Sequence, residues 1–498
     1  MKVIYLPLDE RPCNAAFAAR IADGSPLTLM IPPRAILGNK KTPANAEEIE
    51  KFLLAAGRSA DACVLSLDML LYGGIVPSRI HHLSPEVLEE RLGTVRRMKE
   101  ENPELKIFAF ALIMRCPAYS SSDEEPDYYE TCGREIFLSG QVKHKRELGL
   151  VSPGKADALL AEYGKKTKAF LSDFETRRRV NRSMLEKILT EYRDCFEVLV
   201  IPQDDSATYG YTTMDREYLK GIIEKSGYGD VPMYPGADEV GMTLLCRAAC
   251  DLSGRHPRLT CVYADDRAKD MTPLYEDRPV GKTLPLLLST SGCLSPRDGE
   301  NTDITLYLNY PANEPREVWD EPSAAYRERN LPAFCDRIAA QVRDGKTVAV
   351  ADVAFCNGGE AECVRMLADR ISLTDLSSYA GWNTSSNTVG TAVCQAVFAW
   401  LFGASNNLRL FTAERFYEDV GYCGHVRRAV TREIEPMGFG YFDAGETDDV
   451  VAHLVRDRLN TYMKEKFPEI ADTYEIDRCR MPWRRMFEVD LTLKRRTE

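Results

Sequence analysis

Histidine is scarce in this sequence, six in 498 residues. None of His81, His82, His144, His256, His425 and His453 stands in HxH or HExxH spacing or closes a strong strand pattern. Zinc chemistry and Ser-His-Asp catalysis therefore lack their usual parts. GxGxxG, GxxxxGKS/T and GxSxG are absent too, which leaves nucleotide-binding and α/β-hydrolase readings without a motif. No apolar run approaches the ~20 residues that span a bilayer. The opening MKVIYLPLDERPCN has its apolar run cut by Pro7 and by Asp9, Glu10 and Arg11, so it is not expected to be a signal peptide. Fifteen cysteines, an odd number, contain no CxxC pair. That argues against zinc-ribbon and iron–sulfur spacing and fits free thiols in a reducing compartment, so a cytoplasmic location is expected. Positive charge is in deficit: 64 Lys and Arg against 76 Asp and Glu leave a net charge of -12. Such a chain repels phosphate backbones and anionic lipid, so neither nucleic acid nor membrane is an expected partner, although a local basic patch is compatible with the balance. Internal repeats and low-complexity segments are also missing.

What the chain does have is the material of an α/β fold. It is 44% hydrophobic and 28% charged, with 32 Gly and 27 Pro, enough apolar matter for a core and enough turn residues to fold it. At roughly 150 residues per domain its length suits about three domains, or one α/β barrel with appendages. Short apolar runs read as buried strands at KVIYLPL (2–8), LTLMIP (27–32), ACVLSLD (62–68), KIFAFALIMR (106–115) and FEVLVIPQDD (196–205). VPMYPGADE (231–239), LTCVYADD (259–266), TLPLLLS (283–289), DITLYLNYPAN (303–313), KTVAVADVAFCNGG (346–359) and LSSYAGWN (376–383) continue the series. Helical patterns separate most of them. SPEVLEERLGTVRRMKEEN opens on Ser84 as N-cap with Pro85 at the first helical position, and its apolar residues return every three or four places.

This alternation predicts a parallel sheet with both faces covered. Treating 27–32 and part of 231–289 as accessory strands leaves eight strand–helix units, which suits a TIM (β/α)8-like barrel; a doubly wound open sheet is the alternative. The organisation read along the chain is the first strand–helix units over 1–115, a charged helical insertion over 116–195, the remaining units over 196–400 and a mostly helical region over 401–498. The insertion begins with a polar, acidic, tyrosine-rich stretch at 120–130.

The strands repeatedly finish in charged or amide residues, and in α/β folds sites gather beyond the carboxyl ends of parallel strands. PLDERP ends on Asp9 and Arg11, SLDMLLYGG carries Asp68 and Tyr72, IMR ends on Arg115, and PGADE brings Asp238 and Glu239. The sharpest element is Asp204–Asp205 after VLVIPQ. Two adjacent carboxylates repel, so one can keep its proton near neutrality and act as a general acid. Both can face one site only if the strand is already turning there; otherwise the pair reads as a helix N-cap with a solvated neighbour. Further along, LNYPAN offers Asn309, Tyr310 and Asn313 around a proline turn. NGGEAE sets Asn357 beside two glycines that permit close backbone approach to a ligand, and AGWNTSSN places Trp382 as an apolar platform next to Asn383 and Asn387. Neutral hydrogen-bonding groups with aromatics suit a polyhydroxylated substrate. Arg11, Arg79 and Arg115 serve equally well in ion pairs with Asp9 or Asp68. Carboxylates at Asp9, Asp68, Asp204 and Asp352 also suit magnesium, which makes a divalent-metal-dependent hydrolase or isomerase one alternative and a non-catalytic carbohydrate-binding protein another.

PLDERPCN, LDMLLYGGIVPSR, PQDDSATYGYTTMDR, PGADEVGMTLL, VAFCNGGE and YAGWNTSSNTVGT together resemble a bacterial family catalogued as domain of unknown function 4127, over nearly the whole chain. The second half is also similar to the family 84 glycoside hydrolases, β-N-acetylglucosaminidases with a TIM barrel. Asp204–Asp205 look like that family's aspartate pair, and LNYPANE (308–314), NGGEAE (357–362) and SYAGWN (378–383) follow in the family's order. The resemblance implies that Asp204 orients a substrate 2-acetamido group and that Asp205 is the general acid/base of a substrate-assisted, retaining mechanism. Asn309, Glu314 and Asn357 would bind sugar hydroxyls and Trp382 would wall the pocket. It implies no cofactor, and a small glycan or 2-acetamido-sugar conjugate as substrate. Gln203 stands where that family carries an aromatic, and Glu314 where it carries an aspartate.

Overall fold

The computed structural model describes residues 1–496 apart from 228–230, 298, 321 and 323. Two compact units divide the chain. The first comprises Met1–Glu10, Thr28–Leu244 and Tyr275–Asp277; the second comprises Arg11–Leu27, Leu245–Leu274 and Arg278–Glu498.

In the first unit, β1 (Lys2–Leu6), β2 (Thr28–Met30), β3 (Ala62–Ser66), β4 (Lys106–Phe110) and β5 (Val198–Val200) form one parallel sheet in the order β2-β1-β3-β4-β5. Every residue of β3 is buried, as a parallel strand covered on both faces must be. This order reverses between β1 and β3, and in parallel α/β sheets ligands settle outside the carboxyl ends near such a reversal. Pairing continues past the strands: Gln203 bridges Ile113 on one side and Pro235 on the other, so the 231–236 run lies alongside as an extended segment.

Helices cover this sheet for reasons visible in their sequences. Ala46–Gly57 starts at Asn45, whose side chain accepts from the Glu48 amide, and it buries Ile49 and Leu53 one turn apart. Pro85–Glu101 begins after Ser84 with Pro85 in its first turn and buries Leu88, Leu92, Val95 and Met98. Each such aliphatic side chain contributes roughly 1.5–3 kcal/mol on leaving water. Between β4 and β5 the chain makes three long helices, Tyr129–Glu147, Pro153–Thr167 and Leu171–Glu191.

The second unit carries β6 (Leu259–Tyr263), β7 (Ile304–Leu308), β8 (Arg316–Glu317), β9 (Thr347–Ala351), β10 (Phe355–Cys356), β11 (Ser378–Ala380), β12 (Tyr474–Arg480) and β13 (Asp490–Arg495). Its main sheet is parallel with order β11-β9-β7-β6; β8 pairs with β10, and β12 pairs antiparallel with β13. No closed barrel is found among the described residues, whose parallel strands fall in these separate sheets.

One expectation needs correction. TLPLLLS (283–289) is not a strand but the middle of the helix Val280–Thr290, which accommodates Pro285. A short apolar run has no period that separates a buried strand from a buried helix. The C-terminal region contains the β12–β13 pair as well as helices, because YEIDRCR hides its burial in alternation with charged neighbours, Tyr474, Ile476 and Cys479 facing in. All fifteen cysteines are free thiols, thirteen of them buried. Among the described residues, no helix is long and apolar enough to cross a membrane.

Candidate functional site

Beyond β3, β4 and β5 the first unit gathers a dense charged cluster. Ser66 caps the helix Leu67–Tyr72 by accepting from the Met69 amide, and Gly73, at φ 87°, closes it in the left-handed region. This short helix points Asp68 at the continuation of β4, where its carboxylate accepts from the Leu112 amide at 2.8 Å. Burial pushes Asp68 up to about 7, more than that hydrogen bond lowers it. Tyr72 is buried and stacks on His81, ring centroids 4.7 Å apart.

Two guanidiniums organise the remainder. Arg79, from the helix Ile75–Ile80, donates to Asp204 and to Glu124, each at 2.7 Å. Arg115 donates to Glu125 and Asp205 at 2.7 Å, to Glu124 and the Tyr119 hydroxyl at 3.0 Å, and lies 3.6 Å from Asp204. Planar forks of this kind hold several carboxylates at once, which a lysine does not. Neither arginine pairs as the sequence suggested, with Asp9 or Asp68 alone; their partners are Asp204, Asp205 and the Glu124–Glu125 step of the acidic loop. Lys40–Asp123 and Lys41–Asp127 ion pairs, the latter at 3.0 Å, pin that loop to the 38–44 turn.

The Asp204–Asp205 backbone turns as a shared site requires. Asp205 adopts φ 37°, in the left-handed region, so that both carboxylates reach Arg115. The N-cap reading is excluded, since the following helix Tyr211–Ser226 starts from Gly210. Asp205 is pushed up to about 7, first by burial and then by the Asp204 charge beside it. Side-chain exposure separates the roles: 3% for Arg79 and 7% for Arg115, against 16% for Asp204 and 22% for Asp205. The guanidiniums form the floor and the aspartate pair is the part that water reaches. A carboxyl pushed towards neutrality, beside a second carboxyl and reached by solvent, can give up and recover a proton.

Asp9 and Asp238 are also buried in the first unit. Glu239, next to Asp238, is pushed up to about 8 by burial.

The other candidates lie in the second unit, in a network of their own. Asn309, just past β7, donates to Asp352 at 2.9 Å and to Glu360 at 2.8 Å. Arg329 returns a hydrogen bond to the Asn309 carbonyl oxygen and clamps both oxygens of Glu360, at 3.0 and 2.6 Å. Tyr379 donates to Asp352 at 2.8 Å, and the Gly381 amide donates to Asp419, which Arg415 pairs at 3.1 Å. Burial pushes both Asp352 and Asp419 up to about 7. Asn309 is fully buried with every arm engaged, so this network locks three strand ends together.

Further members have structural work. Trp382 is buried, its indole N–H donating to Thr391 at 3.1 Å and its ring meeting Phe17 edge-on; it belongs to the core rather than to an open wall. The glycines of NGGEAE make room for protein, not ligand: a Cβ on Gly359 would stand 2.4 Å from the Tyr379 hydroxyl, and one on Gly358 3.0 Å from Gly424. Asn357 (φ 62°) donates to Glu317 at 2.8 Å, and its amide donates to the carbonyl of Asn383 (φ 52°). Glu314 is exposed, 3.4 Å from Arg316. Arg11 pairs with Glu488 at 3.3 Å and covers the Trp483 ring.

The structure thus brings Asp68, Arg115, Asp204 and Asp205 together and leaves Asn309, Asn357, Trp382 and Asn383 in a different unit. Sequence reasoning missed Glu124 and Glu125, whose one signal was the acidic, tyrosine-rich 120–130 stretch, Tyr119 just before it, Glu360, which lies inside the NGGEAE run without being singled out, and Arg329, which gave no signal. Among the described residues no group of three or more His, Cys, Asp or Glu side chains is placed to hold a metal ion. Of the magnesium set, Asp9, Asp68 and Asp204 fall in the first unit and Asp352 in the second.

Five carboxyls hold protons towards neutrality: Asp68, Asp205, Asp352 and Asp419 to about 7 and Glu239 to about 8. Between an unfolded value of about 4 and these folded values the native chain binds more protons than the unfolded one, so stability declines as pH rises. The midpoint of thermal unfolding is expected to be lower at about pH 8.5 than at about pH 6. A midpoint that rises over that interval would show these carboxyls to be ionised in the folded protein.

Fold and site together define a mixed α/β protein with buried charge clusters at the carboxyl ends of its parallel strands. Residues 3–492 match the family model described as "Protein of unknown function (DUF4127)", and the chain belongs to that family. No curated protein and no solved structure matches it.

Proposed function

We propose that the chain is a glycosidase-type hydrolase acting on a small glycan or 2-acetamido-sugar conjugate through the Asp204–Asp205 pair. The observation that carries this reading is the unlike setting of two neighbouring carboxyls: Asp205 pushed up to about 7, and Asp204 between two guanidiniums. Unlike surroundings are what divide acid and base roles between paired carboxylates. The resemblance to the family 84 glycoside hydrolases supplies the substrate class.

In this mechanism Asp205 gives its proton to the glycosidic oxygen as the bond from the anomeric carbon breaks. The carbonyl oxygen of the substrate 2-acetamido group attacks that carbon from the other side, while Asp204 accepts a hydrogen bond from the acetamido N–H. Water then opens the cyclic intermediate and returns its proton to Asp205, so configuration is retained. Arg115 holds Asp205 in place, and Tyr119 and Glu124 stand beside the pair as partners for sugar hydroxyls.

The test is release of the aryl group from a panel of aryl 2-acetamido-glycosides, with and without EDTA. Release that resists EDTA and declines above about pH 7, as Asp205 loses its proton, supports the reading. No release from any sugar, or release abolished by EDTA and restored by Mg²⁺, overturns it.

A further inference from the structure

The strongest unassigned feature lies in the three helices between β4 and β5. Tyr129–Glu147, Pro153–Thr167 and Leu171–Glu191, with the first turn of Tyr211–Ser226, border a solvent-open cavity of about 890 Å³. That volume is in the range of small-molecule sites. Six cationic side chains line it, Lys143, Lys165, Lys168, Arg178, Arg179 and Arg182, against one carboxylate, Glu175. In a chain of net charge -12 this is a marked local reversal of sign.

Part of that charge is answered within the protein. Arg178 grips Asp215 with two hydrogen bonds, at 2.6 and 2.8 Å, and Arg182 reaches the same carboxylate at 3.1 Å; Lys143 pairs with Glu175. The rest is not. Lys165, Lys168 and Arg179 make no ion pair among the described residues, and all three are exposed. Like charges crowded around one concavity repel, and a bound anion removes that repulsion. The floor is apolar: the Tyr211 ring, with Arg178 4.6 Å and Lys143 5.4 Å from its centroid, and beside it Leu160, Leu171 and Met214. Gly140 makes the place for that ring, since a Cβ there would come within 2.5 Å of it.

We propose that this cavity is a binding site for a small phosphate-bearing molecule, its phosphate held by Arg179, Lys165 and Lys168 and its body laid on the Tyr211 floor. Phosphate is favoured over a lone carboxylate by the number of cations left without an ion pair and by the Arg179 fork, which matches its oxygens two at a time. The site is distinct from the aspartate pair and does not rest on the glycosidase reading.

The test is calorimetric titration of the full chain with inorganic pyrophosphate, inorganic phosphate and phenyl phosphate, with phenol as the uncharged control. Saturable binding of a phosphate probe, none of phenol, and a loss of affinity of about tenfold or more in the Lys168→Gln/Arg179→Gln variant are expected. Both residues are exposed and make no ion pair, Arg179 donating only to the neighbouring Thr176 hydroxyl at 3.1 Å, so the variant keeps its fold, which its melting temperature verifies. Tighter binding of phenyl phosphate than of inorganic phosphate assigns an organic ester; equal or weaker binding assigns the free anion. Affinity should be unchanged in Asp205→Asn, which separates this site from the catalytic reading. Absence of binding by all three phosphates, or binding that the double variant leaves intact, overturns the proposal.

Discussion

Asp205→Asn is expected to lower turnover of any aryl 2-acetamido-glycoside that the chain cleaves by about 10²–10⁴-fold, the usual worth of a positioned general acid. Asparagine has the same outline and tolerates the left-handed backbone at φ 37°, so the fold has no reason to suffer. Replacing the carboxyl also removes the repulsion from Asp204 that helps push Asp205 up to about 7. Melting temperature should therefore hold or rise while kcat collapses and KM changes little. Steady-state kinetics across pH check this: the decline above about pH 7 should vanish from what activity remains. Full activity in the variant would remove Asp205 from the chemistry and leave the cluster a structural one.

The second large effect is on stability. Arg329→Met is expected to cost about 3–5 kcal/mol, because it leaves the Glu360 carboxylate and the Asn309 carbonyl oxygen buried without their cation. Arg329 is 1% exposed and meets Glu360 at 2.6 Å, so water cannot replace it. Denaturant unfolding of the variant measures the loss. Adding Glu360→Gln should recover part of it, since the expense lies in the uncompensated charge rather than in the missing contact. A loss under about 1 kcal/mol would mean that the strand ends hold together without this clamp.

How much of this the sequence disclosed follows from how local each signal is. Strands β3, β4, β7 and β9 announce themselves as apolar runs closed by a polar residue, and Asp68, Arg115, Asp204 and Asp205 are legible as endings of that kind. The turn at Asp205 was readable as a condition, two neighbouring carboxylates needing a bend to share a site. The partners were not. Arg79 stands 45 residues before Glu124 and 125 before Asp204, and no spacing rule links positions so far apart. NGGEAE shows the opposite error: glycine signals close approach without naming what approaches, and here it is the Tyr379 hydroxyl and the Gly424 backbone. Trp382 carried the same ambiguity, an aromatic beside amides serving a buried core as readily as a sugar. Sheet order was out of reach as well, because strand runs reveal that strands exist and not who neighbours whom.

The cysteines have a practical consequence. Thirteen thiols are buried, and the two that are partly accessible fall one to each unit, Cys195 in the first and Cys261 in the second. Burial also grades them: Cys261 is pushed up to about 12, Cys195 less far. The native chain thus carries its own pair of attachment points for a donor and an acceptor dye, reacting in sequence. Energy transfer between them can follow the separation of the two units in solution without a single introduced residue.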